Sequence, residues 1–171
     1  MELRGPSSPS LCRVFSGTLE AVGGVGTEFQ AGDEVFGMGP WSFAESVCAG
    51  AAVARKPAGV TFEEAVAVPV AGLSALQGLR DHGQLQPGQR VLVNGASGGV
   101  GTYAVQIAKA LGAEVTAVCS TGNVDLARSL GADHVIDYTR DDFTRSGQRY
   151  DLLFDNQGGR RGRRQRRERK G

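Results

Sequence analysis

A chain of 171 residues is long enough for one ordinary domain, and 40% hydrophobic with 22% charged residues allows a packed globular body. No apolar run approaches about 18 residues and no signal-peptide pattern opens the chain, so the expectation is a soluble cytoplasmic protein with no membrane partner. The net charge of +1 hides an asymmetry: Arg160 to Lys170 holds eight basic residues and one acid, which leaves 11 basic and 17 acidic residues elsewhere, a net of −6. Three scattered cysteines, Cys12, Cys48 and Cys119, suggest neither a disulfide framework nor a C-x-x-C metal site, and they fit a reducing compartment.

Residues 1–16 contain Pro6, Pro9 and four serines without any period, and read as an irregular leader. From residue 17 to 60 the pattern is short strands between glycine turns. Thr18 to Val22, Asp33 to Phe36 and Ser42 to Cys48 are expected strands, and Gly23-Gly24-Val25-Gly26 is a β-turn because no helical pattern follows it. Trp41 sits in a Gly- and Pro-flanked loop and reads as a turn anchor. Thr61-Phe62-Glu63-Glu64 is a capping box that starts a helix. Pro69 is expected to break or kink it, with a second segment from about Ala71 to His82.

The informative stretch is QRVLVNGASGGVGTYAVQIAKALGAEVTAVCS, from Gln89 to Ser120. Val91-Leu92-Val93 enters a glycine-rich turn, a dozen residues with helical spacing follow, and Val115 to Val118 forms a second apolar run. Strand, turn, helix, strand is the first unit of a dinucleotide-binding fold. Gly95 can take the positive φ of a sharp turn, Gly98 and Gly99 let backbone approach a pyrophosphate, and Gly101 lets the helix pack against the strand. The helix start then offers unpaired N–H groups to phosphate. The predicted cofactor-binding turn is therefore Ala96, Ser97, Gly98, Gly99, Val100 and Gly101, with Gly112 ending the helix. Val124 to Leu130 reads as a short helix ending at Gly131, and His134 to Tyr138 and Asp151 to Phe154 read as further strands.

NGASGGVG with AVQIAKALGAEVTAV resembles the medium-chain dehydrogenase/reductase superfamily, in its zinc-independent quinone oxidoreductase (zeta-crystallin-like) branch. GDEVFG at Gly32 to Gly37, FAES at Phe43 to Ser46, VPVAGLSALQGL at Val68 to Leu79 and GADHVIDY at Gly131 to Tyr138 follow in the family's order. The resemblance implies an α/β fold: an incomplete Rossmann-type doubly wound parallel sheet over residues 61–159, preceded by part of a small β-barrel (GroES-like) domain over 17–60. It implies strand order 3-2-1-4 for the half-sheet. Residues 160–171 read as a basic disordered tail.

The resemblance also implies chemistry. Ser74 stands where the family has a hydroxyl near the nicotinamide, or else is a small residue for close helix packing. Tyr138 matches a family tyrosine near the adenosine phosphate, or is an aromatic strand end; Asn156 falls where the fourth strand approaches the nicotinamide ribose. Ala71 stands in place of a zinc-ligating cysteine, so no zinc is expected. Cofactor choice is read at the end of the second strand, where Cys119-Ser120-Thr121-Gly122-Asn123 carries no carboxylate; Ser120 and Thr121 can donate hydrogen bonds to a 2′-phosphate. NADPH is expected over NADH, although Gly122 lacks the basic side chain of relatives.

The implied activity is hydride transfer from NADPH to a small-molecule quinone or conjugated enone, with no catalytic acid identifiable. A dinucleotide-binding fragment without turnover is the alternative. Nucleic-acid contact through the Arg-rich tail is the least favoured, because the tail has no aromatic residue for base stacking. The family pattern stops at Gly158-Gly159, and no apolar residue follows Phe154. The expectation is a truncated or frame-shifted chain with low turnover. Asp151 to Asp155 would then be an uncovered apolar edge strand, with a tendency to oligomerise.

Overall fold

Short apolar runs dictate the strands of this chain, and what each run pairs with decides which of them form. The computed structural model describes residues 13–23, 28–40, 42, 44–50 and 52–157. The expectations for Gly24 to Gly26, Trp41, Gly158-Gly159 and the basic tail lie outside the described residues. The contacts fall into two units, Met1–Val70 and Ala71–Gly171.

In the first unit β1 (Val14–Thr18), β2 (Glu34–Met38) and β3 (Val53–Arg55) form an antiparallel sheet in that order. The register pairs Gly17 with Val35 and Gly37 with Val53. This corrects two expectations. The first strand is not Thr18 to Val22 but begins at Val14, inside the stretch read as an irregular leader. Leu19 N donating to Asp33 O (2.9 Å) and Gly32 N to Leu19 O (2.8 Å) close the pairing just beyond it. Ser42 to Cys48 has strand-like residues, but its described residues form no strand, because the free edge of β2 is taken by Val53–Arg55. Lys56 N on Glu34 O (2.8 Å) and the Arg55–Asp33 (2.7 Å) and Lys56–Glu34 (3.0 Å) ion pairs secure that later segment.

The capping box forms as expected at the start of α1 (Phe62–Leu76). Glu64 N donates to Thr61 Oγ1 (3.1 Å), and Thr61 N donates to Glu64 Oε2 (2.9 Å). Pro69 does not end the helix. It removes one N–H, which leaves Ala65 O without its helical donor, but α1 runs on to Leu76. The departure from α geometry comes later, over the π-helical segment Gln77–His82, where Gly83 N donates to Gly78 O (3.0 Å). Ala75 and Leu79 on this stretch are fully buried, so packing outweighs the local propensity.

The second unit runs β4 (Arg90–Asn94), α2 (Gly99–Ala110), β5 (Glu114–Cys119), α3 (Val124–Ser129), β6 (His134–Asp137) and β7 (Leu152–Asp155). All four strands are parallel, in the order β6-β5-β4-β7. That is the expected 3-2-1-4, counted within the unit. The two inner strands read as unbroken apolar runs because both their faces are covered. Val91, Val93, Val115, Ala117 and Cys119 pack with Ala104, Val105 and Ala108 of α2. Leu92 and Val118 pack on the other face with Phe143, Ile136, Tyr150 and Leu153. Each fully buried Val or Leu contributes roughly 1.5–3 kcal/mol.

β7 is better covered than expected. A Cβ at Gly78 would lie 2.5 Å from Phe154 Cε2, and one at Gly83 would lie 2.7 Å from Leu152 Cδ2. These two glycines let the π-helical segment sit directly on β7, while Leu153 packs on the opposite face. Among the described residues, what β7 leaves open is a backbone edge, not a row of apolar side chains.

The turn from β4 into α2 depends on two glycines. Gly95 has φ +81°, and its N–H and that of Ala96 both donate to Val118 O at 3.1 Å, which ties the turn to β5. Gly101 meets the turn rather than the strand: a Cβ there would overlap the Gly95 carbonyl. Gly99 faces open space. Gly101→Ala should therefore destabilise the protein by about 1–3 kcal/mol through overpacking, while Gly99→Ala stays close to the parent. Urea unfolding midpoints of the two variants check this; equal midpoints would contradict the packing argument.

Candidate functional site

The C-terminal ends of β4, β5, β6 and β7 lie side by side, and the chain gathers its polar residues there. At the end of β4, Ala96 is buried, Ser97 and Gly98 are half-buried and Gly99 is exposed. Val100 is half-buried and Gly101 buried. Gly98 is the N-cap of α2 and offers no side chain, so no capping side chain satisfies the first-turn N–H groups. Gly98 N itself donates to Gly95 O (3.1 Å). A 12-residue helix with uncapped N–H groups and no side chain at Gly99 leaves room and partial positive charge for a phosphate. These residues fit a dinucleotide pyrophosphate.

The end of β7 lies beside this turn. Asn94 pairs with Asp155 in the sheet, and Asn94 Nδ2 donates to Asp155 Oδ1 (2.9 Å). Asn156 N donates to Asn94 O (3.2 Å), and Asn156 Nδ2 lies 3.8 Å from where a Cβ on Gly98 would stand. The structure thus brings Asn156 to the glycine turn. It also brings Gln157, whose side chain would meet a Cβ on Gly95 at 2.6 Å. Asp155 and Gln157 were not among the expected site residues. The polar run Asp155-Asn156-Gln157 after an apolar strand was a visible signal, but only the register of β7 on β4 shows which turn it faces.

The loop after β5 holds Ser120, Thr121, Gly122 and Asn123. Ser120 Oγ accepts from Asn123 Nδ2 (3.1 Å), which leaves its own hydroxyl proton free to donate. Gly122 is exposed with open space around it. Thr121 Oγ1 lies 2.5 Å from Asp137 Oδ2 and 2.9 Å from Thr139 Oγ1. Tyr138 is 48% exposed, and its N–H donates to Cys119 O (3.0 Å).

One premise of the cofactor expectation needs correction. The end of β5 has no carboxylate of its own, but its neighbour supplies one: Asp137 stands in register with Cys119. The Thr121 hydroxyl, then the Thr139 hydroxyl, hold its carboxyl below the usual carboxylate range, with the Thr139 amide and Arg140 adding to them against the effect of burial. Asp137 is therefore ionised at neutral pH. The buried Cys119 thiol is pushed up, first by burial and then by the Asp137 charge, so it stays protonated.

Ser74 is exposed on the last turn of α1, and no described contact joins it to the glycine turn. Ala71 offers only a methyl group where the resemblance places a zinc ligand, so that position does not fit zinc. His134 pairs with Glu114 (3.1 Å). A separate hollow of about 500 Å3, lined by Arg90, His134, Phe143, Arg145 and Tyr150 among others, includes no residue of the glycine turn.

With this geometry in place, comparison with known proteins is informative. The family described as zinc-binding dehydrogenase matches residues 99–160. The NAD(P)H oxidoreductase RTN4IP1, mitochondrial, of Mus musculus is 40% identical over 93% of this chain and 43% of its own length. The trans-enoyl reductase pgmF of Aspergillus terreus is 48% identical over 60% of this chain and 30% of its own length. The solved quinone oxidoreductase of Coxiella burnetii superposes with a TM-score of 0.83 at 32% identity, over 92% of this chain and 51% of that one. The chain spans about half the length, or less, of these relatives. The parallel β6-β5-β4-β7 sheet, the glycine turn on β4 and these likenesses agree: the chain belongs to the medium-chain dehydrogenase/reductase superfamily and is similar to its quinone oxidoreductases.

Proposed function

We propose that this chain carries the dinucleotide-binding part of a zinc-independent reductase that uses NADPH to reduce quinones or conjugated enones. The observation that carries this reading is the uncapped start of α2 behind Gly95, open at Gly99 and flanked by Asn156. The names of the relatives support the substrate class, since one is called a quinone oxidoreductase and another a trans-enoyl reductase.

NADPH, when bound, supplies the hydride. The residues of this chain hold and orient it: the first-turn N–H groups of α2 take the pyrophosphate, and the ends of β5 and β7 flank it. Quinones and enones are electrophilic without a metal, so the methyl group of Ala71 removes nothing that the reaction needs. Among the described residues no acid is identifiable as the donor of the proton that completes the reduction.

The preference for NADPH rests on the state of Asp137. A carboxylate that selects NADH must offer free lone pairs to two ribose hydroxyls. Asp137 instead receives Thr121, Thr139 and Arg140. The open space at Gly122 and the Ser120 hydroxyl leave room and a donor for a 2′-phosphate.

Gly99→Val should weaken NADPH binding at least tenfold in calorimetry while circular dichroism stays that of the parent, because a branched side chain stands where the pyrophosphate approaches. Retained affinity in the folded variant would overturn the assignment of the turn. Gly122→Arg should shift the ratio of NADPH to NADH affinity about tenfold toward NADPH, as a charge-assisted bond worth about 1.5–3 kcal/mol is gained. An unchanged ratio would mean that this loop does not face the 2′-phosphate. Elemental analysis of the purified protein should find no stoichiometric zinc, and one zinc per chain would refute the metal-free reading.

A further inference from the structure

The polar cluster where β5 and β6 end has a proton balance that leaves one group conspicuously available. Asp137 Oδ1 accepts from Thr139 N (2.9 Å) and lies 2.7 Å from Thr139 Oγ1. Asp137 Oδ2 lies 2.5 Å from Thr121 Oγ1 and 3.6 Å from Arg140 Nε. The two threonine oxygens are themselves 2.9 Å apart. A hydroxyl carries one proton. Two protons therefore serve three short contacts, all inside the cluster. Neither threonine has a proton left for an incoming phosphate, and the Asp137 carboxylate is already engaged by both threonines and faces Arg140.

Arg140 is different. Its Nε faces Asp137, yet its side chain is 73% exposed, and among the described residues its two terminal nitrogens have no partner. Those nitrogens form the fork that matches a phosphate. Its anchor, Asp137 Oδ2, is the same atom that Thr121 binds, so the guanidinium is tethered to the loop containing Gly122. Among the described residues, three other cations of this unit are held elsewhere: Arg128 by Asp125 (3.4 Å), Lys109 by Asp133 (2.8 Å) and Arg145 by Asp142 (3.8 Å).

We infer that Arg140, tethered by Asp137 beside the Thr121-Gly122 loop, is the specificity-determining cation that receives the 2′-phosphate of the dinucleotide. The inference rests on the reading of the glycine turn given under Proposed function. It assigns to β6 the charge that Gly122 lacks. Arg140 also offsets Asp137, whose ionised carboxylate would otherwise repel the phosphate.

Two fragments of the cofactor separate the two sites. Adenosine 5′-monophosphate reports the glycine turn, and adenosine 2′,5′-bisphosphate adds the 2′-phosphate. Calorimetry on the full chain should give tighter binding of the bisphosphate, with a preference that falls as salt is raised. Arg140→Ala should weaken the bisphosphate tenfold or more and leave the monophosphate within about twofold, since the side chain is exposed; Arg140→Lys should restore part of the preference. A merely structural role for Arg140 would move both ligands together. Loss of both, or no change in their ratio, overturns the inference while the parent's monophosphate binding still supports the glycine turn. If the parent binds neither fragment, the reading of the turn fails and the inference falls with it.

Discussion

The Val118 carbonyl is the acceptor on which this architecture turns. It takes the N–H groups of both Gly95 and Ala96 at 3.1 Å, from the strand on its neighbour's side of the sheet. Those two bonds bend the chain sharply out of β4 toward α2, and the positive φ of Gly95 makes the bend possible. The bend aims the Gly95 carbonyl at the first turn of α2, where only a glycine at Gly101 fits. The helix axis, the exposure of Gly99 and the direction of the uncapped N–H groups all follow from that one turn.

The rest of the site is built by register rather than by local sequence. Parallel strands that start in line also end in line, so residues far apart in the chain become neighbours at the carboxyl edge of the sheet. Asn94 meets Asp155 across 61 residues, and Thr121 meets Asp137 across 16. The order β6-β5-β4-β7 puts the glycine strand in the middle, with Asn156 and Gln157 on one side and the Asp137 cluster on the other. A ligand laid along that edge meets the Asp155-Asn156-Gln157 side, a helix start, and then the Asp137 cluster.

The same geometry reassigns the charges near the loop after β5. A carboxylate is present although β5 carries none, and it already accepts from two threonines and faces an arginine. An acid in this position has two different meanings. Left to itself it selects ribose hydroxyls; engaged by its own neighbours it serves as a tether. Only the hydrogen bonds tell these apart.

Local chemistry was legible in the residues themselves. The capping box at Thr61 and the helix ending near Gly112 rest on interactions within a few residues, so the sequence by itself determined them, and the glycine at 95 and the apolar runs of the strands were visible in it as well. It did not determine where the first antiparallel strands lie, because Ser42 to Cys48 and Val53 to Arg55 both suit a short strand and the edge of β2 accepts one. Nor did it determine how α1 treats Pro69, since the burial of Ala75 and Leu79 outweighs one missing hydrogen bond. The placement of Asp137, Arg140 and Gln157 beside the loops they serve was likewise decided only by the tertiary structure. Their roles depend on which strand lies next to which, and strand pairing is a long-range contact that no local pattern encodes.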